Sequence, residues 1–297
     1  MVSFEKVSKF IVKDLTMHIP AGVSVGLIGT SGAGKTTFLR LACGLLVPEL
    51  GEVHTLQKNP VKYRGLLGRN VGSLLERMPQ LDGWRSVADN FRDLQIIHRM
   101  QEEEFQDAYE ALAQRFGIKE YENEAVKELS LGQRRKAELV AVFLHRPKLL
   151  LLDEPTNGLD ENAKQVFREL LKERVQEGAT VVMASHDMHE VSGICQRIAV
   201  LEQGKLLYYG EETNLMRRFA PMDSMRVRIA GQLPDMEDLP LKSYRIEEDE
   251  VTLVYDSNHI TATEILEVLL RQISVKEVAI RKPGLEDVIF AIKRLEG

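Results

Sequence analysis

The 297-residue chain has two cysteines, Cys43 and Cys195, and a single tryptophan, Trp84. So little cysteine provides no disulfide framework and fits a reducing cytoplasm; both thiols are expected to act as small buried hydrophobes. Long apolar runs are also lacking. Even residues 139–152 are interrupted by His145, Arg146 and Lys148, short of the roughly 18 uncharged apolar residues that span a bilayer. The opening MVSFEKVSKFIVKD contains acids and no apolar centre, so no secretory leader is expected. Nor is there an excess of positive charge: 39 Lys and Arg stand against 45 Asp and Glu, a net charge of -6. Nucleic acid is therefore not an expected partner, because a phosphate backbone calls for a clustered basic surface.

What is present is ordinary globular material, 44% hydrophobic and 28% charged, in a chain long enough for a main domain and a smaller appendage. Residues 14–19 alternate in polarity before a Pro20-Ala21-Gly22 turn, so the first twenty residues predict antiparallel strands. A short apolar run at 23–28 then leads through a loop into helical spacing at 36–46. Helix formers over 90–116 point to a helical subdomain at about 80–145, with Glu102 to Glu104 on a solvated face. Helix to Leu144, strand at 149–152, helix at 161–176 and strand at 180–184 follow. Short uninterrupted apolar strands between helices imply a parallel sheet covered on both faces. Residues 198–209 read as a hairpin turning at Gln203-Gly204. Pro221, Pro234 and Pro240 then mark a change of character, followed by strand 250–255, helix 263–272, strand 275–280 and helix 285–295. The expected domains are 1–220 and 221–297, the latter a small α+β layer.

Gly29-Thr30-Ser31-Gly32-Ala33-Gly34-Lys35-Thr36 fits the phosphate-binding pattern G-x-x-x-x-G-K-[ST], between a predicted strand and a predicted helix. Glycines let successive backbone N–H groups turn toward phosphate oxygens, and the helix that follows offers its positive end to the same anion. In such a loop Lys35 reaches the β- and γ-phosphates and the Thr36 hydroxyl ligates Mg2+.

A phosphate loop alone leaves kinases, GTPases and many ATPases open. Leu129-Ser130-Leu131-Gly132-Gln133 follows, then an apolar strand ending in Asp153-Glu154-Pro155-Thr156, then Gly158-Leu159-Asp160, and His186 after another apolar strand. In order and spacing residues 1–217 resemble the ATP-binding subunits of ABC transporters, and the LSLGQ form of the signature resembles that of drug-exporter-type cassettes. The resemblance implies a RecA-like α/β core with an antiparallel β subdomain and a helical subdomain. It implies ATP hydrolysis, with Asp153 toward Mg2+, Glu154 polarising the attacking water and His186 at the γ-phosphate. It extends the nucleotide site to Thr37 and to Ser130, Gly132, Gln133 and Asp160, which would close over ATP held by a second copy of the cassette or a paralogue. It also implies a separate transmembrane permease, to which the chain attaches at the inner face of the membrane. The departure is Leu131, where the commonest signature has glycine.

The γ-phosphate-sensing loop should follow a strand near 70–75. Gln80 has the expected side chain and is taken as a further Mg2+ contact, while Glu76 and Arg77 fit the spacing better. Phe10 resembles the aromatic that stacks on adenine, with a plain core role as the alternative. Trp84 reads either as core or as a surface aromatic facing the partner protein. The segment Pro283 to Phe290 resembles the C-terminal extension of drug-exporter-type cassettes. Rival readings are a channel-free ATPase of translation or repair, which would bring a second cassette or a long coiled coil, and a nucleotide-dependent binding module. Intact Glu154 and His186 favour turnover over the latter.

Overall fold

A computed structural model describes residues 1–76, 78–219, 222–230, 239–247, 249–283, 287–289 and 292. It divides into two compact units, Met1–Tyr209 and Gly210–Gly297. The division thus precedes residue 220, the boundary expected where the prolines begin.

The first unit opens with β1 (Val2–Lys9), β2 (Val12–Ile19), β3 (Ser24–Ile28), α1 (Lys35–Ala42) and β4 (Leu50–Thr55). After α2 (Arg64–Leu67) and β5 (Val71–Leu74) come three helices, α3 (Val87–His98), α4 (Glu102–Phe116) and α5 (Leu131–Leu144). The chain then alternates through β6 (Leu149–Asp153), α6 (Glu161–Gln176), β7 (Thr180–Ser185), α7 (Met188–Val191), β8 (Arg197–Glu202) and β9 (Lys205–Gly210).

Two sheets result. One is antiparallel, in the order β2-β1-β4; the other has the order β5-β6-β7-β3-β8-β9. In the second sheet β5, β6, β7, β3 and β8 run parallel. Every residue of β3, β6 and β7 is buried, as strands with helices on both faces must be. The antiparallel sheet meets α1 through Phe4, whose ring stacks on Phe38 at 4.2 Å between centroids. One apolar core therefore runs from β1 through α1 to β6 and β7. The carboxyl ends of these parallel strands are where the loops bearing the motifs emerge.

Trp84 is not a core residue: it is 80% exposed, with Lys127 Nζ 3.7 Å from its ring centre. Just before it, Asp82 N–H donates to Asn90 Oδ1 at 2.7 Å and Asn90 Nδ2 donates to Asp82 O at 3.0 Å.

The second unit begins with α8 (Glu212–Phe219) and continues through β10 (Met222–Ala230), β11 (Leu241–Glu247), β12 (Glu250–Asp256), α9 (Ala262–Gln272) and β13 (Ser274–Arg281). Its strands form an antiparallel sheet, β11-β12-β10-β13. Met225, Val227, Ile229, Val251, Leu253 and Tyr255 line one face and pack with Ile265 and Leu269 of α9. The period-2 alternation of β10 and β12 is what one-sided burial requires. The helix expected over 285–295 falls mostly outside the described residues, of which Val288, Ile289 and Ile292 are buried.

Candidate functional site

The loop between β3 and α1 wraps a cavity of about 600 Å³ lined by Ile11, Ser31 to Thr37, Glu76, Asp153, Glu154 and His186. Gly34, at φ 110°, turns the chain into α1, whose first-turn N–H groups lack acidic partners. A helix start of this kind is a ready anion site. Lys35 is buried and donates from Nζ to its own loop, to Gly29 O at 2.7 Å and Thr30 O at 3.2 Å. Burial depresses its pKa, against the opposing pull of Glu154, Asp153 and Glu202. A buried ammonium held by carbonyl dipoles is poised to take an anionic partner.

The loop is braced from behind. Thr30 Oγ1 donates to Glu202 Oε2 at 2.7 Å, and the β8–β9 turn reaches under the loop through Gly204. Gly204 N–H donates to Ala33 O at 3.0 Å, while its own carbonyl accepts Lys13 N–H at 3.1 Å. Only glycine serves there: φ is 81°, and a Cβ would fall 1.7 Å from Ile11 O.

Opposite the loop stand the acids. Thr36 Oγ1 donates to Asp153 Oδ2 at 2.8 Å, so the two proposed metal ligands already meet. Burial raises the Asp153 pKa, opposed by the Thr36 hydroxyl and the Glu76 backbone N–H. Two oxygens at the foot of a phosphate loop suit a hard cation that takes its remaining ligands from water and phosphate. No group of three or more His, Cys, Asp or Glu that could hold a metal by itself occurs among the described residues.

Glu154 is set in a left-handed backbone conformation, φ 46°, costing about 1–3 kcal/mol for a non-glycine residue. Its Oε1 meets His186 Nδ1 at 2.9 Å, whereas Oε2 is buried with no hydrogen-bond partner among the described residues. The bond to Glu154, then its charge, raises the His186 pKa. An orphaned buried carboxylate oxygen facing a phosphate loop marks a place for a water or hydroxyl donor.

The signature residues lie apart from this cavity. Ser130 caps α5, accepting Gln133 N–H at 3.3 Å, and the Gln133 side chain returns the contact by accepting Ser130 N–H at 2.9 Å. Asp160 caps α6 through Ala163 N–H at 2.8 Å and accepts Lys136 Nζ of α5 at 2.6 Å. Leu131 is 72% exposed and lies over Gly158, where a Cβ would come 3.1 Å from Leu131 Cγ. The signature is thus preformed and locked to the loop after β6, with its helix end open.

The sequence profile described as "ABC transporter" matches residues 12–157. ABC transporter ATP-binding protein NatA of Bacillus subtilis is 31% identical over 199 residues, covering 67% of this chain and 81% of that protein. The chain belongs to the ATP-binding subunits of ABC transporters. Like them it is an ATPase built on the cassette fold. Nod factor export ATP-binding protein I of Rhizobium etli is 28% identical over 286 residues, 96% of this chain and 89% of that one. An ATP-binding cassette solved as a dimeric post-hydrolysis state with ADP and Pi shares the fold, at TM-score 0.62 and 22% identity over 71% of this chain and 98% of that one. No helix among the described residues is long and apolar enough to cross a membrane.

Two sequence expectations for this cassette fall elsewhere. Gln80 does not line the cavity; Glu76 does, because β5 ends beside β6 and its next residues pass Asp153. Arg77 lies outside the described residues. Phe10 is 66% exposed with Lys9 Nζ 4.8 Å from its ring centre, which rules out the core alternative, yet the neighbouring Ile11 rather than Phe10 lines the cavity. Ile11 and Glu76 are the residues that reading by type missed. Spacing pointed to Glu76, whereas no motif distinguishes Ile11.

Proposed function

We infer that the chain binds ATP together with Mg2+ at the β3–α1 loop and hydrolyses it at the cytoplasmic face of a membrane, to energise export through a separate permease. The observation that carries this is the convergence of Lys35, the Thr36–Asp153 pair and the Glu154–His186 pair on one cavity. The loop N–H groups and α1 would hold the phosphates, with Lys35 exchanging its carbonyl partners for β- and γ-oxygens. Thr36 and Asp153 would hold Mg2+, which when bound supplies charge stabilisation at the transferring phosphate. Ile11 and Phe10 offer apolar surface for the base.

Glu154 then orients and polarises the attacking water with its orphaned oxygen, and His186 keeps that carboxylate aimed and faces the γ-phosphate. A loose phosphoryl transition state offers little covalent chemistry to assist, so positioning and charge do most of the catalysis. Glu76 is our choice for the phosphate-sensing loop residue in place of Gln80. Ser130, Gly132 and Gln133 serve the ATP of a second copy, a reading supported by their not lining the cavity of their own chain and by the dimeric state of the related cassette. The export direction rests on relatives named for export. The 221–297 region is read as an accessory domain for interaction or regulation.

The test is ATP binding and turnover by the purified chain. Hydrolysis should stop on chelation of Mg2+, and Lys35→Ala should weaken ATP binding about tenfold or more, the loss of one charge-assisted contact. Unchanged ATP affinity in Lys35→Ala, or turnover indifferent to chelation, would overturn the reading.

A further inference from the structure

One carboxylate that does not line the cavity touches both loops bearing the Glu154–His186 pair. Glu190, on α7, accepts the Thr156 hydroxyl at Oε1 and the Ser185 hydroxyl at Oε2, the latter at 2.8 Å. Thr156 stands two residues after Glu154 and Ser185 immediately before His186, and both are buried. Ser185 Oγ also accepts Asp187 N–H at 3.1 Å, which fixes the turn just past His186.

The position matters because strand pairing runs out at this point. The β6–β7 ladder ends at Asp153 opposite Ala184, with one more backbone bond from Glu154 N–H to Ala184 O at 3.0 Å. Beyond it the β6–β7 ladder has ended, and Glu190 ties the two loops together through Thr156 and Ser185. Glu154 occupies a left-handed conformation, φ 46°, which persists only where the surroundings over-determine it. His186 is largely exposed, so its ring depends on its loop for placement.

We propose that Glu190 is a positioning residue for hydrolysis: by clamping Thr156 and Ser185 it sets the separation of Glu154 and His186, and it acts on turnover rather than on ATP binding. This rests on the roles given above to Glu154 and His186. Two hydroxyls donating to one group call for a carboxylate. Glutamine could still bridge them by accepting one hydroxyl and donating to the other, whereas alanine would release both.

The experiment measures kcat, KM and equilibrium ATP affinity for Glu190→Ala, Glu190→Gln, Thr156→Val and Ser185→Ala, with Glu154→Gln in parallel. Glu190→Ala should lower kcat about 10- to 100-fold, as loss of an orienting partner does, with ATP affinity held within about twofold. Glu190→Gln should recover most of that loss. Thr156→Val and Ser185→Ala should each lower kcat about three- to tenfold and add nothing once Glu190 is alanine, because the residues act as a unit. If Glu190→Ala fails to fold, those two variants decide: full kcat in both overturns the clamp. Wild-type kcat in Glu190→Ala, or kcat and affinity falling together with glutamine no better than alanine, would overturn it as well. Glu154→Gln separates the two ideas. If it turns over freely, the water-orienting role of Glu154 fails; if it is inactive while Glu190→Ala is normal, only the clamp fails.

Discussion

Replacing Glu154 by glutamine changes one atom in the site and should move three observables in different directions. The amide keeps the shape and the hydrogen bond to His186 Nδ1, now 2.9 Å from Oε1, but it removes the charge that orients water. Loss of a positioned base lowers turnover about 10²- to 10⁴-fold, equivalent to about 3–5 kcal/mol of transition-state stabilisation. ATP binding should hold or tighten, since a carboxylate no longer faces the γ-phosphate. Where His186 is neutral, stability should hold or rise by about 1 kcal/mol, because the buried Oε2 with no partner among the described residues ceases to carry charge. The sign of the pH dependence follows from His186. Its pKa is raised above 6.5, first by the bond to Glu154, so the pair stabilises the parent below that pH and the contribution is lost as pH rises through the raised pKa. The variant should therefore gain on the parent in melting temperature as pH rises above 6.5. Single-turnover hydrolysis, ATP titration and thermal melts across pH measure all three. Turnover within tenfold of the parent would refute the reasoning.

Other outcomes follow from the same geometry. Glu76→Ala should weaken Mg2+-dependent ATP binding or turnover while Gln80→Ala leaves both near wild type, measured by nucleotide titration with and without Mg2+; the reverse pattern would return the sensing role to Gln80. Gly204→Ala places a Cβ 1.7 Å from Ile11 O at φ 81° and should cost more than about 2 kcal/mol, with ATP affinity falling as the phosphate loop loses its brace; a urea midpoint unchanged from wild type would contradict the packing. His145 stacks on His98 at 3.7 Å, and burial first, then the neighbouring His98, lowers its pKa from 6.5 to about 3. The unfolded chain takes up a proton in that window that the folded site refuses, so stability should fall with pH from 6.5 downward, by at most about 1.4 kcal/mol per unit from this group. His145→Leu should flatten that acid limb, and an unaltered slope would show that the site titrates normally.

Where local physics decides, the sequence was legible. The parallel strands announced themselves as uninterrupted apolar runs, and the phosphate loop, Asp153, Glu154 and His186 appeared at the ends of those strands. Residues whose role depends on tertiary approach were hidden. Ile11 lines the cavity because the β1–β2 turn is pinned against Gly204, a contact between segments far apart in sequence. Glu76 was obscured by the pull of residue type toward Gln80, although its spacing from β5 was right. Strands β10 and β11 were lost behind the prolines that flank them; in β11 all residues but Leu241 are exposed, so no alternation was there to read. Trp84 was misleading because an aromatic usually pays for itself by burial, and here it covers Lys127 instead.

The most direct test of the central claim, ATP shared between one phosphate loop and the signature of a second copy, mixes two inactive chains. Lys35→Ala removes the phosphate-loop cation and Ser130→Arg blocks the open end of α5, so each homodimer lacks both of its composite sites. A mixed pair rebuilds one site from the intact loop of one copy and the intact signature of the other. With random pairing about half the dimers are mixed and each carries one of two sites, so about a quarter of wild-type ATPase activity should return. No recovery, with mixed pairing demonstrated directly, would mean that the signature does not complete its partner's site.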